Sequence, residues 1–234
     1  LLVPAHDTVI VPMLREHGTW EAEEATIAER ALTESSGELV IDVGAHIGYL
    51  THRIARSTDA TVLAVESEPL NAGLLCLNLL RNGLTHVLPI HAAAGESTGL
   101  TQFSLDPTNT GDHRAFARDG FDGGVVACLA LDDLIPAETT VGFVKIDAQG
   151  MDHAVIRGMR RIVANSRPLM LTEFWPSGII EFGDSPSSVI REYRELGYQT
   201  HLLGLPELDG APAEDLVAIA EAHRGNHMTL ILSP

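Results

Sequence analysis

Apolar residues recur along this chain in two alternating periods. Short runs such as Leu39-Val40-Ile41, Thr61-Val62-Leu63-Ala64-Val65, Val87 to His91, Val141 to Ile146 and Pro168 to Thr172 have the length and branching of buried strands. Between them, apolar positions return at helical spacing: Ile47, Leu50 and Ile54; Leu70, Leu74 and Leu77; Val155, Ile156, Met159 and Ile162; Ile190, Tyr193 and Leu196. Pro69 and Pro186 suit first helical turns, with Ser185 as a cap, and Gly83 suits a stop. Near the start, Val9-Ile10-Val11 reads as a short strand, followed by an acidic helix from about Trp20 to Glu34. Tyr198 to Leu203 and Met228 to Leu232 read as two closing strands.

Strands separated by helices imply right-handed crossovers and a mostly parallel sheet with helices on both faces. The expectation is one α/β domain over residues 1–234, Rossmann-like, with 1–38 as an N-terminal segment. Residues 95–135 break the rhythm. Thr101 to Leu105 and Val125 to Leu129 read as an inserted strand pair, and the Gly- and Asp-rich stretch DPTNTGDHRAFARDGFDGG joins them. A connection of that length in a compact domain is often functional, and this one precedes a strand whose carboxyl edge is where open α/β sheets bind ligands.

Composition narrows the partners. With 32 acidic residues against 15 basic ones, the formal net charge is −17, which argues against nucleic acid or an anionic membrane. Cys76 and Cys128 stand in no ligand spacing, so neither zinc nor a disulfide framework is expected. No apolar run has the length of a membrane span, and Leu1 to Ile10 does not read as a signal peptide, so a cytoplasmic protein is expected.

The densest local signal is Val40-Ile41-Asp42-Val43-Gly44-Ala45-His46-Ile47-Gly48. Glycines at a strand-to-helix turn let a ligand approach the backbone. The dinucleotide pattern GxGxxG is missing, since the spacing is Gly44-x-x-x-Gly48. Asp42 would repel a pyrophosphate and attract a sulfonium or amino group. Glu66, ending the second strand, is placed to accept ribose hydroxyls. These features favour S-adenosylmethionine over a nicotinamide cofactor. A nicotinamide-dependent oxidoreductase and a non-catalytic nucleotide-binding domain remain the alternatives.

The segments VIDVGAHIGYLT, LLRNGL, HAAAG, LALDDL, FVKIDAQG and VIRGM occur in order with matching spacing. Together they resemble the FkbM-family methyltransferases, a branch of the class I S-adenosylmethionine-dependent enzymes, over roughly residues 36–175. The resemblance implies a seven-stranded sheet with its last strand antiparallel, and methyl transfer to a hydroxyl of a natural product or sugar, releasing S-adenosylhomocysteine. It implies cofactor contacts for Asp42, Gly44, Ala45, His46, Gly48, Glu66 and Ser67, with Ala93 and Ala94 ending the third strand near the adenine. The chain departs from the family pattern at His46, usually Asn, and at Gln149 and Asp152, both usually Glu.

Methyl transfer to a neutral hydroxyl gains from a positioned base by roughly 10²–10⁴-fold. Asp147, ending the fourth strand, is the first candidate, with pairing to Lys145 as the structural alternative. His113 in the long loop is the second, because imidazole titrates near neutrality. Asn109 in the same loop is expected to orient substrate or cofactor, or to make an Asx turn. Glu173 is a further acceptor-site acid, and Asp152 is expected to cap a helix. His153 is expected on a helix surface, and Trp20, Phe174, Trp175 and Phe182 are given no role. Hard-oxygen metal ligation would need clustered carboxylates, and the amide of Gln149 removes one, so no metal is expected.

Overall fold

Alternating strands and helices build the protein, whose computed structural model describes residues 1–4, 7–8, 10–34, 36–105, 113–116, 123–223 and 225–234. Helices α1 (Ile10–His17) and α2 (Ala22–Glu34) come first. Then follow β1 (Leu39–Val43), α3 (Tyr49–Ala55), β2 (Thr61–Glu66), α4 (Pro69–Asn82) and β3 (Val87–His91). A side branch holds β4 (Ala93–Ala94), β5 (Gly99–Ser104) and β6 (Gly123–Leu129). After α5 (Leu131–Leu134) the alternation resumes with β7 (Val141–Ile146), α6 (Asp152–Arg157), α7 (Arg160–Ser166) and β8 (Leu169–Phe174). The end of the chain carries α8 (Pro176–Phe182), α9 (Pro186–Glu195), β9 (Gln199–Leu202), α10 (Ala213–Ala222) and β10 (Met228–Ser233).

The main sheet has seven strands in the order β3-β2-β1-β7-β8-β10-β9. Its pairs are parallel except those of β10, which runs antiparallel to both β8 and β9. Side chains alternate across the sheet. Ile41, Val43, Val144 and Ile146 face a core shared with α6, α7, α9 and α10, while Val40 and Phe143 face one shared with α2, α3 and α4. Such two-sided burial needs continuously apolar strands, which is why β1 is buried at every residue. Asp42 falls on the same face as Val40, beneath α3, and the pairing of β1 with β7 sets it opposite Lys145.

Several sequence expectations give way here. Ile10 and Val11 begin a helix instead of a strand, because the Asp7 carboxylate accepts the Val11 amide at 2.9 Å and caps the turn; Val9 lies outside the described residues. On α4, Leu70 and Leu77 are exposed, and the inward face is Asn71, Ala72, Leu75, Asn78 and Leu79. A helix with leucine at so many positions offers two apolar stripes, and Asn78 decides between them by donating to the Ile47 carbonyl at 2.8 Å and that of Leu2 at 2.9 Å. Ala93 and Ala94 do not end the third strand but form β4, which runs parallel to β6 in a separate three-stranded sheet.

The helix expected after β7 is two helices broken at Gly158. There the backbone passes so close to Gly95 that a methyl group would overlap the Gly95 carbonyl oxygen. Gly158→Ala is therefore expected to cost about 1–3 kcal/mol through overpacking, read as a lower urea midpoint with unchanged slope. Full stability in that variant would mean the two segments separate at no cost.

Candidate functional site

The chain turns one way from β1 to β2 and reaches β7 on the other side of β1, so β1 and β7 flank a topological switch point. At the carboxyl ends of these strands lies a cavity of about 390 Å³. Its wall takes Gly44, Ala45 and His46 from the turn after β1, Glu66 and Ser67 after β2, and Ala92, Ala93 and Ala94 beyond β3. Lys145 comes from β7, and Asp147, Ala148 and Gln149 from the loop after it, with Glu173 from β8 and Trp175 just beyond. Trp20 and Glu21 close it from the N-terminal segment, and His113 and Ala115 from the insertion.

Gly44 makes the turn possible. Its φ is +74°, and a side chain there would overlap the Asp147 carbonyl, so the first-strand turn and the end of β7 touch backbone to backbone. The Asp147 amide donates to the Val43 carbonyl at 3.0 Å and carries the ladder one residue past β7. Gly48 is the N-cap of α3 and packs against Leu75, outside the cavity wall.

Asp42 also lies outside the wall, fully buried beneath it. Thr51 donates to its Oδ2 at 2.6 Å, and Lys145 Nζ stands 3.8 Å from its Oδ1. The same Nζ is 3.6 Å from Asp147 Oδ2 and donates to the Gly44 carbonyl at 3.3 Å. Lys145 thus joins the buried acid, the glycine turn and the wall carboxylate. Burial alone would push its ammonium down, yet Asp147, Asp42 and Glu21 carry it well above the ordinary lysine value. Pairing of Lys145 with Asp147, raised by their shared strand face, therefore coexists with exposure of Asp147 to the cavity.

Glu66 is held by its neighbours: the His46 amide donates to Oε2 and the Glu68 amide to Oε1, each at 2.8 Å. Each oxygen keeps a lone pair, so the group can still accept hydroxyl hydrogens from a ligand. Burial raises its carboxyl to about 7 against those two donors. Burial likewise lowers His46 to about 4, so its ring is neutral at physiological pH. Gln149, at φ +50°, donates its amide to Asp147 Oδ1 at 2.6 Å.

The remaining candidates divide. His113 reaches the wall, and its ring meets Phe103 edge-on at 6.0 Å. Asn109 lies outside the described residues. Glu173 lines the cavity; burial and then Asp147 hold its carboxyl well above the usual range, and Oε2 has no hydrogen-bond partner among the described residues. Asp152 is buried, accepting from Thr172 at 3.2 Å and from the Ala148 amide at 3.4 Å, so it ties the loop after β7 as well as standing at the head of α6. His153 is buried, not on the helix surface: it bonds Asp184 at 2.8 Å and packs on Phe182.

Sequence reasoning missed three wall groups. Trp20 and Trp175 line the cavity, while Phe174 belongs to the core. Arg114, buried, stacks 4.2 Å over Trp175 and pairs with Glu181, pinning the insertion to α8. Glu21 was hidden among the acids of the helix expected from about Trp20, and it stands just before α2 instead of within it. Its φ of +47° is unusual for a side-chain-bearing residue, and that strain at the edge of a cavity is the signal that geometry adds.

These carboxyls set a pH dependence. Glu21 and Glu66 keep their protons up to about 7 in the folded protein against an ordinary 4.5, and Asp152 up to about 7 against 3.8. The folded state binds more protons over that window, so stability falls as pH rises. Buried His46 oppositely favours higher pH between about 4 and 6.5, so the fall is steepest from there to about 7. The ligand-free protein is expected to melt at a higher temperature near pH 6 than near pH 8; the reverse order would contradict these assignments.

Residues 42–200 match the family model of the methyltransferase FkbM domain. No curated protein sequence matches the chain. Among solved structures, methyltransferase FkbM from Methylobacillus flagellatus KT superposes with a TM-score of 0.52 at 18% identity, covering 84% of this chain. The match spans 43% of that protein, less than half its length. Precorrin-6y C5,15-methyltransferase from Geobacter metallireducens GS-15 gives 0.52 at 14% identity, over 94% of this chain and 91% of its own. The O-methyltransferase TomG from Streptomyces achromogenes, involved in tomaymycin synthesis and solved with SAM, gives 0.50 at 15%, over 94% and 85%. At such identities the likeness establishes the Rossmann-like methyltransferase fold.

Proposed function

The chain belongs to the FkbM methyltransferase family, and on that premise we propose that it transfers a methyl group from S-adenosylmethionine to a hydroxyl of a small molecule, a natural product or a sugar, in secondary metabolism. The observation that carries this reading is the contact of the Gly44 turn with Asp147, which brings a cofactor-type turn and an acceptor-type carboxylate to one cavity. The residues present suit the cofactor. The Gly44-Ala45-His46 turn would hold its amino-acid end and the free lone pairs of Glu66 its ribose, with Ser67, Ala93 and Ala94 toward the base. Asn109 is proposed as an orienting group.

The cofactor supplies a methyl group already activated by a sulfonium charge, so the protein's task is alignment and proton removal. Alignment alone is worth effective molarities on the order of 10⁵–10⁸ M. Asp147 is the proposed proton acceptor. Gln149 occupies its Oδ1, and Lys145 balances its charge near Oδ2. Trp20 and Trp175 line the same cavity and would limit water there once the ligands are bound. Gln149 also supports transfer without a metal, since its amide presents an N–H donor to the carboxylate a cation would need.

Calorimetry tests the reading: S-adenosylmethionine and S-adenosylhomocysteine are expected to bind and NAD is not. Absence of S-adenosylhomocysteine binding would remove the assignment. Turnover on hydroxylated acceptors is expected to survive a chelator unchanged; abolition would return a metal to the mechanism.

A further inference from the structure

The charge on the cavity wall is not evenly supplied. Lys145 is the chain's single lysine and is already shared between Asp42 and Asp147. Glu21 adds a carboxyl from a separate segment, on the residue just before α2, and faces the same cavity as the glycine turn. The Trp20 indole donates to its Oε1 at 2.9 Å, and the positive φ of +47° sets its direction. A strained, half-buried acid held over a ligand cavity points to function more than to stability.

The cofactor and its product differ by one unit of charge at sulfur, the first a sulfonium and the second a neutral thioether. A carboxylate facing this cavity distinguishes them when the sulfur lies within several ångströms of it, because Coulomb energy acts over that range in a partly buried site. We infer that Glu21 is the specificity-determining group that makes this cavity prefer the cationic cofactor to its neutral product, and so helps the product leave; this rests on the methyl-transfer reading above.

The groups that face Glu21 are Lys145 from β7, Asp147 just after it, Glu173 from β8 and Glu24 one turn along α2. Burial is the main cause that lifts its carboxyl to about 7, with Lys145 opposing and Asp147 and Glu24 assisting. The carboxylate therefore forms as pH rises through about 7, and the preference for the cation should strengthen over the same range.

The test is calorimetric titration of S-adenosylmethionine and S-adenosylhomocysteine into the wild type, Glu21→Gln and Glu21→Asp at about pH 6 and about pH 8. Glutamine keeps the oxygen that the Trp20 indole needs but cannot ionise, whereas aspartate keeps the charge. The ratio of the two dissociation constants is expected to shift toward S-adenosylmethionine by roughly tenfold between the two pH values in the wild type. Glu21→Asp is expected to retain most of that shift and Glu21→Gln to lose it. Titration of the ligands themselves, or of Glu66 and Asp152, is common to all three proteins and cancels in the comparison. An equal shift in Glu21→Gln would overturn the inference while leaving methyl transfer intact. Failure of both ligands to bind the wild type would overturn the inference and its premise together.

Discussion

Replacing Lys145 with methionine is expected to destabilise the protein by about 3–5 kcal/mol, the range for breaking a buried ion pair by removing one partner. Asp42 is fully buried, and among the described residues its Oδ1 has no hydrogen-bond partner, with the Lys145 ammonium 3.8 Å away. Without Lys145 that oxygen faces a buried environment with no counter-charge, and the carboxyl must either remain charged at a cost or take up a proton. The Gly44 carbonyl loses its donor at the same time, so the turn loosens and cofactor affinity falls with stability. Equilibrium urea unfolding reads the first effect and S-adenosylhomocysteine calorimetry the second. A loss below about 1 kcal/mol would show that the triad contributes nothing net, as some buried ion pairs do.

Asp147→Asn is expected to lower turnover by roughly 10²–10⁴-fold, the contribution of a positioned base, while S-adenosylhomocysteine affinity stays within a few-fold. Asparagine preserves the shape and one oxygen for Gln149, so a collapse of the loop would not explain the loss. His113→Ala is the paired comparison, since His113 reaches the same cavity from the insertion. A loss confined to Asp147→Asn assigns the base to the carboxylate, and a loss confined to His113→Ala assigns it to the imidazole. Unchanged turnover in both would remove these two residues from the chemistry and leave the fold and the cofactor site standing.

Much of the architecture was legible in the order of residues. The buried strands declare themselves by continuous apolar runs, and the turn after β1 by glycines that permit positive φ and close approach. Glu66 was legible too, because a strand end fixes where a side chain stands. Motif order also carried the family, since six spaced segments are far more specific than any one of them. Legibility failed where local pattern is degenerate. On α4, leucines allow two inward faces; at Ile10 and Val11, a short apolar run suits strand and helix alike until Asp7 caps it.

What the sequence determined by itself, then, is a mostly parallel α/β sheet with a glycine-rich turn after its first strand, because burial period and backbone freedom are local properties of residues. Tertiary structure alone decided how charge is distributed around the cavity. Asp42, which sequence reading set beside a ligand, lies beneath the wall holding Lys145, and Glu21, one acid among several in an expected acidic helix, stands on the wall. His153 becomes a buried partner of Asp184 for the same reason. Coulomb energy and desolvation depend on distance and burial, and these are fixed only when remote segments pack together.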